Sequence, residues 1–375
     1  MRFLHTSDWQ LGMTRHFLSK EAQARFTQAR FDAIRNIARI ATEQRCAFVV
    51  VAGDVFESNQ VDRQTVHRAL EALREVKVPV LLLPGNHDPL DAATVYRSTS
   101  FLGKRPDSVR VIEDSEPIRV VDGVEVVGAP WTSKRPLEDL LAGALRGLPP
   151  ADGTIRIAIG HGAVDTLSPD GSSPSRIIVA AAEEALSQHR VHYIALGDRH
   201  SMTEVGSLRR IWYSGAPEPT DYDEVKPGFV LIVDADHDSC TVTDVRTGTW
   251  RFEEWPEVPV TSPDDIEIVR QRIEAVPDKE RTVLKARLKG ALPLRLDTTL
   301  RAVLNHGRDL LAALELREEE YAVVPEGKDF EALAFSGFVR TTAEELMTKA
   351  KAEGPGAAEA RDALALLIRL AVGEA

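Results

Sequence analysis

Five short apolar runs, each emptying into a polar turn, set the rhythm of the chain. Met1 to Thr6 leads into Ser7-Asp8-Trp9-Gln10, Ala47 to Ala52 into Gly53-Asp54-Val55, and Val78 to Leu83 into Gly85-Asn86-His87-Asp88. Thr154 to Ile159 leads into Gly160-His161-Gly162, and Val191 to Leu196 into Gly197-Asp198-Arg199-His200. Runs of this length and content read as buried strands. From Glu21 to Gln44, Ala22, Phe26, Ala29, Ala33, Ile37 and Ala41 recur at three- and four-residue intervals, the stripe of a helix lying on a sheet. Asp62 can cap a second helix running to about Glu75, with Val66, Ala69, Leu70 and Leu73 inward. The strand-helix-strand order predicts right-handed crossovers and parallel pairing. Asp122-Gly123 is a hairpin signal that makes the sheet mixed. A second such series runs from Thr154 to His200 and contains the polar loop Ser168 to Ser175, read either as a border of the cleft or as plain surface. Antiparallel strands near Met202 to Val205, Arg210 to Tyr213 and Phe229 to Val233 close the domain.

The texture changes near Thr247 to Pro259, where Trp250, Trp255 and prolines mark a junction. Beyond it the pattern predicts a smaller α/β unit: a helix from Pro263 to Ala275, a strand from Thr282 to Leu288 and a helix from Asp297 to Leu316. That strand alternates Leu284, Ala286 and Leu288 with Lys285, Arg287 and Lys289, giving one apolar and one cationic face. Two helical stretches follow, Ala343 to Ala352 and Ala357 to Val372, parted by Gly354-Pro355-Gly356. The second carries Ala360, Leu364, Leu367, Ile368 and Ala371 as an apolar stripe. We therefore expect three parts, 1–250, 251–338 and 339–375. Periodicity alone fixes the class only as mixed α/β.

Composition narrows the setting. The two cysteines, Cys46 and Cys240, form no metal-ligand spacing and read as free thiols. No apolar run reaches the length of a membrane span and Met1 enters a strand directly, so a cytoplasmic protein without membrane contact is expected. The net charge of -12 argues against strong autonomous binding of nucleic acid, although bound divalent ions reverse the sign locally.

Candidate chemistry lies at the strand ends. In open α/β sheets ligands gather at the carboxyl ends of strands, and one such edge would bring together Asp8, Gln10, Asp54, Asn86, His87, His161, Asp198 and His200. Carboxylate, carboxamide oxygen and imidazole suit manganese, iron or zinc, and Asp54 could bridge two ions. Such a pair clamps both oxygens of a phosphate-ester displacement. Histidines outside these turns read as core or surface residues, with His5 close enough to Asp8 to support it.

The order Asp-Trp-Gln, Gly-Asp-Val-Phe, Gly-Asn-His-Asp, Gly-His-Gly and Gly-Asp-Arg-His resembles the calcineurin-like metallophosphoesterases. His-Thr-Ser-Asp-Trp-Gln-Leu-Gly at 5–12 and Tyr-Ser-Gly-Ala-Pro-Glu-Pro at 213–219 are similar to the SbcD-type nuclease subunits of DNA repair complexes. The resemblance implies two packed sheets flanked by helices, a metallophosphoesterase-like sandwich, followed by a smaller α/β capping domain and a helical tail. It implies that Asp8, Gln10, Asp54 and His200 hold one divalent ion and that Asp54, Asn86, His161 and Asp198 hold the other. His87 would be the catalytic histidine, stabilising the transition state or protonating the leaving oxygen.

Two positions depart from that pattern, since the family has histidine where Gln10 and Asp198 stand. Both changes exchange nitrogen for oxygen donors and favour manganese or magnesium over zinc, with Fe2+ also open. The implied function is a metal-dependent DNA nuclease of repair, working beside an SMC-like ATPase that docks on the tail. Arg15, His16, Lys285, Arg287 and Lys289 are the candidate contacts to DNA, and pairing as a homodimer stays open. The alternatives are a phosphodiesterase for small phosphate esters, or a degenerate subunit that binds DNA ends or an ATPase and cuts nothing.

Overall fold

The computed structural model describes residues 1–168, 173–324 and 337–351, and residues 356, 357, 359, 360, 363, 364, 366 and 367. Two units emerge, residues 1–16 with 23–250 and residues 17–22 with 251–375.

The first unit opens with β1 (Arg2–Thr6), α1 (Lys20–Glu43), β2 (Val49–Val51), α2 (Arg63–Leu73), β3 (Val80–Leu82), α3 (Thr99–Leu102) and β4 (Val109–Val111). The hairpin β5 (Ile118–Val121) and β6 (Val124–Gly128) follows, then α4 (Leu140–Leu145), β7 (Ile155–His161), α5 (Val179–Ser187) and β8 (Tyr193–Gly197). Short strands β9 (Thr203–Val205) and β10 (Ile211–Tyr213) precede β11 (Phe229–Ala235) and β12 (Cys240–Arg246). These make two six-stranded sheets, ordered β12-β11-β1-β2-β3-β4 and β5-β6-β7-β8-β10-β9. β1 to β4 are mutually parallel, with β11 antiparallel beside β1. In the second sheet β6, β7, β8 and β10 are parallel and the edges β5 and β9 are antiparallel.

The apolar runs are continuous because each strand is covered on both faces. Val49 and Val51 of β2 point into one cluster with α1 and α2, whereas Val50 joins Phe3, Phe48, Leu81, Ile157, Ile159 and Tyr193 in another that draws on both sheets. Helices α4 and α5 cover the far face of the second sheet. His5, fully buried, joins the sheets: Nδ1 lies 3.0 Å from Tyr193 Oη and Nε2 3.2 Å from the Leu196 carbonyl. The edge strands β4 and β12 were not legible as strands, being short or polar on one face.

The second unit is β13 (Arg251–Pro259), α6 (Pro263–Ala275), β14 (Thr282–Leu292), α7 (Leu294–Leu310) and β15 (Ala313–Val323), a parallel three-stranded sheet in sequence order. Helix α6 starts where Ser262 and Asp265 form a reciprocal capping box with Pro263 at the first turn. Two expectations are corrected here. The stretch read as a junction is largely strand β13, with Trp255 buried under the Arg272 guanidinium. The helix expected from Asp297 to Leu316 ends at Leu310, and 313–323 turn instead into a strand paired to β14. Leu314 and Leu316 reach the core of this unit more fully from the sheet than a longer helix would allow.

A further helix spans Gly337–Lys351, and its Ala343, Leu346 and Met347 pack with Leu294, Leu364 and Leu367. Ile368 and Ala371 of the expected stripe lie outside the described residues, as do 169–172 of the polar loop and Gly354-Pro355. Among the described residues, no helix is long and apolar enough to cross a membrane.

Candidate metal centre

The five strand ends meet, but from two sheets rather than one edge: β1, β2 and β3 belong to the first sheet, β7 and β8 to the second. The sheets pack face to face, and hydrogen bonds cross between them at this point. His161 Nδ1 lies 2.8 Å from the Ala52 carbonyl, and the Asp198 amide donates to both Asp8 oxygens at 3.1 and 3.2 Å. Within the first sheet, the Asp8 amide donates to the Gly53 carbonyl at 3.0 Å and the Gln10 amide to that of Asp54 at 2.9 Å.

The backbone is held in uncommon conformations where it matters. Asp8, Gln10, Asp54 and Asp198 have φ of 53°, 44°, 52° and 99°, the left-handed region that side chains disfavour. Such conformations persist only where surrounding bonds over-determine them, and they cluster at working sites. Gly53 shows the crowding most plainly: at φ +94°, a Cβ there would lie 2.1 Å from His161 Nδ1. The sequence assigned this glycine to a sharp turn; close approach of the imidazole is the stronger reason.

Ligand atoms of Asp8, Asp54 and His161 lie within 4.8 Å of one another, all buried. With Nδ1–H donating to Ala52, neutral His161 turns a bare Nε2 toward Asn86 Oδ1 at 2.7 Å, Asp54 Oδ1 at 3.4 Å and Asp198 Oδ1 at 3.9 Å. Lone pairs so close together require a cation among them. Gln10 Oε1 is buried with no hydrogen-bond partner among the described residues. These features fit divalent ions, and the mixed nitrogen and oxygen set suits manganese or iron. His200 completes the group. Its Nε2 lies 3.1 Å from Gln10 Nε2, and its Nδ1 lies 2.7 Å from Thr220 Oγ1 and 2.9 Å from Glu224 Oε1.

Electrostatics in the protein alone point the same way. Burial pushes the Asp8 carboxyl up to about 6, against the pull of His200 and His161. Burial also favours neutral His161, but the carboxylates of Asp54, Asp8 and Asp198 outweigh it and hold its pKa well above the ordinary value. In each case the pocket favours positive charge at its centre.

His87 stands beside this group. Its amide donates to Asp54 Oδ1 at 3.0 Å and its Nδ1–H to the Glu57 carbonyl at 2.9 Å, which leaves Nε2 as the free end of a partly exposed ring. Asp88 fixes the loop by accepting from the amides of Gly85 at 2.8 Å and Phe56 at 3.0 Å and from the Tyr96 hydroxyl at 2.6 Å. Sequence reasoning assigned Asp88 no role, although the Gly-Asn-His-Asp motif contained it. Glu224 and Thr220, which orient His200, carried no signal.

The expected DNA contacts lie apart from this group. Arg15 donates to the Thr220 carbonyl and stands 3.7 Å from Asp221, and His16 is exposed. In the second unit, Lys285 is 3.9 Å from Glu254, Arg287 is 3.8 Å from Glu320 and Lys289 is 3.2 Å from Glu257, so that face carries both signs. A cavity of about 360 Å³ opens beside Asp198 and His200, walled by Tyr213, Asp221, Asp223 and Glu224. A larger one of about 1000 Å³ runs along α2 between Arg63, His67, Arg74 and Lys104 and contains none of the site residues.

Residues 1–202 match the calcineurin-like phosphoesterase family. Over 160 residues the chain is 32% identical to the DNA double-strand break repair protein Mre11 of Archaeoglobus fulgidus, covering 38% of this chain and 35% of that protein. Over 271 residues it is 27% identical to the SbcD component of the nuclease SbcCD of Escherichia coli K12, covering 62% of this chain and 64% of that one. The matched stretch thus spans less than two thirds of either relative. Among solved structures, a dimetal phosphatase from Danio rerio aligns with 64% of this chain and 98% of its own at 13% identity, with a TM-score of 0.38.

Proposed function

Because the chain belongs to the calcineurin-like phosphoesterase family, we propose that it is a metal-dependent nuclease hydrolysing phosphodiester bonds of DNA in repair, an SbcD-like subunit acting with an SMC-like ATPase. The observation that carries this reading is the convergence of Asp8, Asp54, Asn86 and His161 from two sheets, with His87 hydrogen-bonded to Asp54 beside them. Similarity to two DNA-repair nuclease proteins supports DNA as the substrate.

Asp8, Gln10, Asp54, Asn86, His161, Asp198 and His200 would hold two divalent ions, manganese foremost. When bound, such ions polarise a phosphate and lower the pKa of a coordinated water. The chain's own groups supply the rest. Asp88 and the Asp54 carboxylate fix the backbone of the His87 turn, and the Glu57 carbonyl fixes the ring tautomer. His87 Nε2 then faces outward, where it can donate a proton to the departing alkoxide of the ester. Arg15, His16, Lys285, Arg287 and Lys289 are the cations proposed to meet the phosphate backbone. The tail from 339 onward is the proposed dock for the ATPase.

Relative turnover of linear DNA and of a small aryl phosphodiester, both with manganese, tests the substrate. The reading expects kcat/KM to favour DNA. A strong preference for the small ester would favour the phosphodiesterase alternative, and hydrolysis of neither a degenerate subunit.

A further inference from the structure

The two halves of the centre are not equivalent, and the difference turns on Gln10. His161 Nε2 faces only acceptors, in Asn86, Asp54 and Asp198. An ion entering there breaks no hydrogen bond between these groups and relieves the repulsion among their lone pairs. His200 Nε2 is in a different state, because the Gln10 amide nitrogen lies 3.1 Å away. With its Nδ1–H on Glu224, His200 is neutral and accepts on Nε2, the nitrogen it would offer to a metal. The Gln10 amide therefore occupies the lone pair that the second ion needs.

Neither partner can turn away freely. Gln10 is 3% exposed, its φ is 44°, and its backbone is tied by its amide to Asp54 and by its carbonyl to the Met13 amide at 3.1 Å. His200 is tied through Nδ1 to Thr220 and Glu224. Rotating the Gln10 amide by half a turn would present Oε1 to a protonated Nε2 and still spend that nitrogen. A second ion must separate the pair and then accept a neutral amide oxygen as ligand.

We infer that Gln10 makes this a graded centre: one divalent ion is held tightly by the His161 side, and a second binds weakly by displacing the Gln10–His200 hydrogen bond. The inference rests on the proposed two-ion chemistry and adds its control, since the second position fills only as the divalent-ion concentration rises. Gln10 acts here as a positioning residue that sets the affinity of the second position. Changes in groups that orient metal ligands alter affinity by about 10–100-fold, which is the gap expected between the two ions.

The test is manganese titration of the full chain by calorimetry, with electron paramagnetic resonance at one and two equivalents. Wild type is expected to bind one ion about 10–100-fold more tightly than the second, with an uncoupled signal at one equivalent. Gln10→His is expected to bring the two affinities together and to give the exchange-coupled signal of a paired centre at two equivalents. Two ions of equal affinity and a coupled signal in wild type would overturn the inference while leaving the nuclease reading intact. A Gln10→His protein that folds but keeps the wild-type gap would also overturn it. No manganese bound by wild type would overturn the two-ion reading itself.

Discussion

The hydroxyl of Tyr96 donates to Asp88 Oδ2 at 2.6 Å, with both residues buried, and through this bond the His87 turn is anchored to the body of the first unit. Burial pushes the Asp88 carboxyl up to about 6, so it depends on its donors to stay ionised. Removing one donor from a buried, charged acceptor costs about 1–3 kcal/mol. Tyr96→Phe is therefore expected to lose stability in that range by urea denaturation. Its kcat should fall with little change in KM, because the turn loosens while the phosphate ligands remain. Unchanged stability would show that the Phe56 and Gly85 amides suffice.

Gly53→Ala places a methyl group where the His161 ring lies and forces a left-handed backbone on an alanine. Overpacking of this kind costs about 1–3 kcal/mol. The ring must shift to relieve it, so manganese affinity should fall together with thermal stability. Wild-type affinity in this variant would show that His161 is not a ligand.

His5 gives a pH dependence with a definite sign. Burial between the sheets lowers its pKa to about 3. The unfolded chain takes up this proton below about pH 6.5, whereas the folded protein refuses it until about pH 3. Its contribution is therefore fully present above pH 6.5 and is lost as the pH falls through that window, at about 1.4 kcal/mol per pH unit. Between pH 6.5 and 5, wild type should lose about 2 kcal/mol more than His5→Gln by urea denaturation. Parallel losses in the two proteins would contradict this assignment.

Replacing Lys285, Arg287 and Lys289 together by glutamine tests the second unit's cationic strand. If these side chains meet the phosphate backbone, DNA affinity should weaken and the slope of log affinity against log salt should fall by about 1 for each phosphate no longer neutralised. The facing glutamates Glu254, Glu257 and Glu320 make less than the full effect the expected result. Unchanged affinity and slope would remove this face from the DNA path.

What was legible in the sequence was set by burial. Strands covered on both faces, such as Val49–Val51 and Val80–Leu82, stand out as apolar runs, and the capping box at Ser262 marks the start of α6. Strand β15 did not stand out, since Glu315, Arg317, Glu318, Glu319 and Glu320 give it a charged, helix-like composition that pairing with β14 overrides. At the site, motifs delivered the turns but not the contacts between them. Nothing local to Glu224 signals its bond to His200, and the Gln10–His200 contact joins residues 190 positions apart. The allocation of five turns to two sheets likewise depends on tertiary packing.

The central claim is metal-dependent cleavage of DNA with His87 as proton donor, and end-labelled linear DNA with manganese, wild type beside His87→Ala, tests it most directly. The account predicts cleavage by wild type and a loss of about 10²–10⁴-fold in kcat for the variant, with manganese binding retained. Equal cleavage by both would contradict the role of His87. No cleavage by wild type with manganese bound would contradict the nuclease itself.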